Sequence, residues 1–121
     1  MTVGDNIANL VKSKLGCPYE YGATGPDSFD CSGLAYWAHL MNGIPIPRTS
    51  LQQSNGGSSV GSLEPGDLVF FVTSGSQISH VGVYIGNNQF IHAPKPGDVV
   101  KTASLSSSYW QKAYRQARRY W

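Results

Sequence analysis

Charge is scarce in this chain of 121 residues: Asp, Glu, Lys and Arg make up 13% of it, and the formal net charge is +2. So slight an excess excludes a nucleic-acid partner held by a broad basic face. The one run of like charge, from Arg115 to Arg119, reads as a solvated strand face. No apolar stretch approaches the roughly 18 residues of a membrane span. Met1-Thr2-Val3-Gly4-Asp5 has neither the basic start nor the apolar centre of a secretory leader. Cysteine is also rare. Two cysteines and three histidines, without close C-x-x-C or H-x-x-x-H spacing, predict neither a disulfide framework nor a metal site, and no cofactor is expected. Cys17, before Pro18, reads as a small buried filler.

Glycine and proline are plentiful, 14 and 7 residues, so turns are many and long helices few. The length fits a single domain spanning residues 1–121. Apolar positions Ile7, Leu10, Val11 and Leu15 predict a helix over 3–15, closed by Gly16. A second helix is predicted from Cys31 to about Met41, capped by Asp30, and a short third over 49–54. The remainder reads as sheet, with strands over 68–72, 80–85, 89–93, near 99–102 and over 114–120. Helices first and sheet after predict an α+β domain with an antiparallel sheet.

Chemistry concentrates in Phe29-Asp30-Cys31-Ser32-Gly33-Leu34 and in Ser79-His80-Val81-Gly82, with His92 beyond. A thiol at a helix start is favoured as thiolate by unpaired N–H groups, which can also hold an oxyanion. His80 is the natural general base, because imidazole takes and returns protons near neutrality. Gly82, on the same face, is expected to leave room for substrate. His92, on a neighbouring strand, is expected to orient His80. His39 lies eight residues past Cys31, about 12 Å along a helix, and reads as structural or exposed.

In order along the chain, LGCPYEYG at 15–22, FDCSGL at 29–34, PRTS at 47–50, LEPGDLVFF at 63–71, SHVGVYIG at 79–86 and FIHA at 90–93 resemble the NlpC/P60 family of cell-wall cysteine peptidases. The resemblance covers almost the full length. It implies a papain-like α+β fold, N-terminal helices packed on a C-terminal antiparallel sheet. It also implies cleavage of peptidoglycan stem peptides between D-glutamate and the following diamino acid. By that resemblance Cys31 is the nucleophile, His80 the base and His92 the orienting residue. Tyr19 faces the nucleophile, while Asp30, Ser32 and Arg48 shape the acyl-side subsite that reads a free L-alanine amine. The implied place of action is the bacterial cell wall or periplasm, reached by a delivery machine or by excision from a longer secreted protein. A muramoyl-L-alanine amidase, a crosslink peptidase, an acyltransferase and a non-catalytic wall-binding module are the alternatives.

Overall fold

The computed structural model describes residues 1–121. Helix α1 spans Val3–Lys12 and starts at a reciprocal cap: Asp5 N–H donates to the Thr2 hydroxyl (3.0 Å) and Thr2 N–H to the Asp5 carboxylate (3.1 Å). It stops a turn short of the predicted end, because residues 13–16 wind into turns and Gly16 adopts φ +91°. Helix α2, Cys31–Leu40, begins where Asp30 accepts from Gly33 N–H at 2.7 Å. Helix α3, Ser50–Ser54, is capped by Thr49.

Six strands form one antiparallel sheet: β1 (Ser58–Ser59), β2 (Leu68–Phe71), β3 (His80–Gly86), β4 (Gln89–His92), β5 (Lys101–Ser104) and β6 (Tyr114–Arg119), in the order β1-β6-β2-β3-β4-β5. The architecture is the expected α+β one. Two short elements, β1 and helix α4 (Ser108–Ala113), carry no apolar period and are not visible in the sequence.

Strand β2 is an unbroken apolar run because both faces of the sheet are covered. Leu68 and Phe70 join Ile7, Val11, Leu34, Ala35, Val81, Val83 and Ile91 on the helix side. Val69 and Phe71 join Tyr84, Phe90, Ala113 and Ala117 on the other. Truncating a fully buried Phe70 costs about 3–5 kcal/mol. Between β3 and β4, Asn87 and Asn88 both take positive φ, 54° and 60°, the turn geometry that suits a twisted hairpin. This hairpin brings the first residue of β3, His80, and the last of β4, His92, to the same end of the sheet.

The arginine cluster is not the solvated face expected. Arg119 grips the fully buried Asp67 carboxylate with Nε (2.7 Å) and Nη2 (2.8 Å), meets Glu64 at 3.1 Å and lies 4.8 Å over the Trp121 ring. A carboxylate at the start of a central strand needs a partner of opposite charge, and sequence distance hid it. Arg115 alone of the three stays exposed. No helix is long and apolar enough to cross a membrane.

Candidate active site

Cys31 is the first residue of α2, and the helix is anchored there by the carboxylate before it. Asp30 Oδ1 accepts from Gly33 N–H (2.7 Å), Arg48 Nη1 (3.2 Å) and the Ser32 hydroxyl (3.4 Å). Its Oδ2 accepts from Gly22 N–H and Arg48 Nη2, at 2.9 and 2.8 Å. Arg48 also donates to Ser32 Oγ at 2.8 Å. One carboxylate thus ties together the loop before α2, the helix start and the segment before α3. Gly33 is required here: a side chain at this position would run into the Ala23 carbonyl of the same loop. Gln53, unremarkable in the sequence, bonds from Nε2 to the Ser32 and Pro47 carbonyls at 3.2 and 2.9 Å and so holds the Arg48 segment against α2.

Tyr19, Asp30, Cys31, Ser32 and Arg48 line one hollow of about 470 Å³. Burial pushes the Cys31 thiol up to about 11, with the Asp30 charge adding to it. The backbone N–H groups of Val81, Ser32 and Cys31 itself pull the other way. Val81 is on β3, directly after His80, so the thiol stands between the helix start and that strand. Burial, then the charges of Cys31 and Asp30, raise the Tyr19 hydroxyl, which stays a donor at neutral pH.

His80 and His92 share a hydrogen bond, His80 Nε2 to His92 Nδ1 at 2.8 Å. Both rings are buried. Trp110, from α4, stacks on His80 at 5.5 Å and 27° and stands edge-on to His92 at 5.1 Å and 90°. Phe71 and Phe90 complete the wrapping, 5.9 Å from His80 and 4.9 Å from His92. This dry setting pushes His80 down to about 4 and, with the neighbouring His80 as a second cause, His92 to about 3. Gly82 is on the His80 face, yet the room it leaves is taken by the Phe90 ring, not by substrate. A bare strand position cannot announce which neighbour fills it. Trp110 has no sequence signal beyond the Ser107 cap of its helix.

The structure therefore brings the expected residues together in two groups: five around the first hollow, and His80 with His92 on a second. Ser79 lines the first and His80 the second, so the two meet at the start of β3. His39 is elsewhere, fully buried in α2 with Nδ1 2.8 Å from the Ala35 carbonyl. Cys17 is a half-buried free thiol in the loop that pairs with Val100. No three His, Cys, Asp or Glu side chains converge as a metal site.

The NlpC/P60 family model matches residues 16–119. The chain belongs to the NlpC/P60 family. Among its curated relatives is the murein DD-endopeptidase MepH of Escherichia coli, 42% identical over 92% of this chain and 44% of the relative. Another is the gamma-D-glutamyl-L-lysine dipeptidyl-peptidase of Bacillus cereus, 37% identical over 96% and 36%. NlpC2 from Trichomonas vaginalis superposes with a TM-score of 0.92 at 42% identity, covering 98% of this chain and 47% of that one. The NlpC/P60 domain of the peptidoglycan hydrolase SagA superposes at 0.81 with 33% identity, over 96% and 97%. The chain spans less than half the length of the curated relatives named. These neighbours share the papain-like α+β fold, helices first and sheet after.

Proposed function

We propose that this NlpC/P60 chain is a peptidoglycan hydrolase, a cysteine endopeptidase that cuts the stem peptide between the γ-carboxyl of D-glutamate and the following L-diamino acid. The observation that carries the reading is the His80–His92 hydrogen bond at 2.8 Å on the strand whose next residue, Val81, turns its N–H to the Cys31 thiol at a helix start. With Nε2 of His80 committed to His92, Nδ1 is the nitrogen left to serve Cys31. For Nδ1 to accept a proton, Nε2 must carry one and donate it to His92 Nδ1, which fixes the tautomers of both rings.

Burial pushes the thiol up and the imidazoles down, which favours the neutral form of both nucleophile and base. Burial and the Asp30 charge thus oppose the thiolate that the helix start and the nearby N–H groups favour. The proton then moves from Sγ to His80 Nδ1 as sulfur bonds to the carbonyl carbon. The oxyanion is held by N–H groups at the start of α2 and by the Tyr19 hydroxyl. His80 returns the proton to the leaving amine, and water releases the acyl group from the thioester.

On the acyl side, the Asp30–Arg48 pair offers both charges that a free L-Ala-γ-D-Glu end demands, an acid for the L-alanine ammonium and a cation for the glutamate α-carboxylate. The site of action follows from the substrate: the bacterial wall or periplasm. A crosslink peptidase is the second reading, favoured by the name of the MepH relative. Mass spectrometry of digested muropeptides and of L-Ala-γ-D-Glu-diaminopimelate-D-Ala separates the two. We expect free L-Ala-D-Glu. Cleavage of crosslinked dimers with the L-Ala-D-Glu bond left intact would replace the first reading by the second.

A further inference from the structure

The second hollow, about 740 Å³, is larger than the one beside Cys31 and within the range of a ligand pocket. His80 and His92 line it together with Lys95, Asp98, Lys101 and Trp110. Its electrostatics are unequal. Lys101 and Asp98 neutralise each other at 2.8 Å, and Asp98 is further engaged by Val99 N–H at 2.8 Å. Lys95 is exposed and takes part in none of the four ion pairs of the protein. His92 Nε2 is buried and without a protein partner, and the tautomer argued above makes it a donor. Of the charged groups lining the hollow, Lys95 is thus the one left over, with the hydroxyls of Thr102 and Tyr109 as neutral polar neighbours and no unpaired carboxylate.

The position of the hollow says which part of a substrate enters it. A residue that protonates the leaving amine must reach that nitrogen, so the leaving group is on the His80 side of Cys31. We propose that this hollow is the leaving-group subsite, that it takes a diamino acid bearing an extra carboxylate, and that Lys95 selects diaminopimelate over lysine there. The assignment rests on the cysteine endopeptidase reading above. Diaminopimelate ends in a carboxylate and an ammonium; lysine ends in an ammonium alone. At this hollow the lysine chain meets a like charge, while diaminopimelate brings the acceptor that Lys95 lacks.

Three peptides test this: L-Ala-γ-D-Glu-X-D-Ala with X as diaminopimelate, as diaminopimelate amidated on its distal carboxyl, and as L-lysine. An exposed but well-placed pair predicts that kcat/KM for the free diaminopimelate peptide exceeds the other two by roughly three- to tenfold. Added salt should narrow the ratio. Lys95→Gln should bring it toward one, chiefly through KM, and Lys95→Arg should retain it. Equal rates, a preference for lysine, or a preference that survives Lys95→Gln would overturn the assignment while leaving the bond reading intact. Cleavage of none of the three would remove the bond reading, and the assignment with it.

Discussion

Around Cys31 the protein uses hydrogen bonds, whereas around His80 it uses aromatic carbon. Asp30 alone accepts from Gly22, Ser32, Gly33 and Arg48, while His80 has one side-chain hydrogen bond and otherwise meets Trp110 and Phe71. The difference follows from what each half must do. On the proposed mechanism the thiol half has to fix backbone N–H groups in space, and a carboxylate bonded on both oxygens is a rigid tie. On the same mechanism the histidine half has to keep an imidazole neutral and ready to accept, and exclusion of water does that. The histidines are buried and Cys31 is half-buried; one half is suited to hold geometry and the other to hold a protonation state.

The largest effects should come from the reacting atoms. Cys31→Ala is expected to abolish turnover with the fold intact by circular dichroism, and His80→Ala to cost on the order of a thousandfold or more. His92→Ala should hurt less, since it orients the base without transferring the proton, and a steady-state comparison of kcat ranks the three. Equal or reversed losses for the two histidines would break the distinction between base and orienting residue.

Next comes the tie. Asp30→Ala leaves Arg48 without its partner and α2 without its cap, so stability should fall by roughly 2–4 kcal/mol. Urea unfolding measures it, and a loss within experimental error would mean that the carboxylate serves substrate alone.

The dry half is sharpened by Trp110→Leu, which exposes both imidazoles. The proposed mechanism requires neutral His80, so the acid limb of kcat/KM should lie well below pH 6.5 in the native protein. It should move up toward 6.5 in the variant, with about a tenfold loss of kcat. An unmoved acid limb would deny Trp110 its positioning role.

The last expectation concerns stability against pH. His39, His80 and His92 are all held below their ordinary value, near 4, 4 and 3. Folded values lowered in this way mean that the unfolded chain takes up protons that the native state refuses. Stability is therefore full above pH 6.5 and falls as pH drops from 6.5 toward 4, by up to about 1.4 kcal/mol per pH unit for each histidine. Urea midpoints at pH 7.5, 6 and 5 should decline in that order.

The two halves also differ in how much of them the sequence discloses. Asp30, Cys31, Ser32 and Gly33 are neighbours in the chain, and a capped helix start is a local pattern, so that half is readable from residues 29–34. The alternation along β3 placed His80 and Gly82 on one face, and the turn at Asn87 and Asn88 set His92 on the next strand. Neither pattern could show that Phe90 fills the space at Gly82, that Trp110 closes over both histidines, or that Arg119 partners Asp67. Those contacts join residues 8 to 52 positions apart with no shared period, and only the folded sheet brings them together. Lys95 escaped notice for the same reason, since a lone exposed lysine means nothing until the hollow it faces is known.

The claim that thiol and imidazole are two halves of one machine is tested most directly by the release of L-Ala-D-Glu from L-Ala-γ-D-Glu-diaminopimelate-D-Ala, followed by mass spectrometry for the native protein, Cys31→Ala and His80→Ala. The dipeptide should accumulate with the native protein only. Either folded variant retaining more than a few per cent of the native rate would contradict the account.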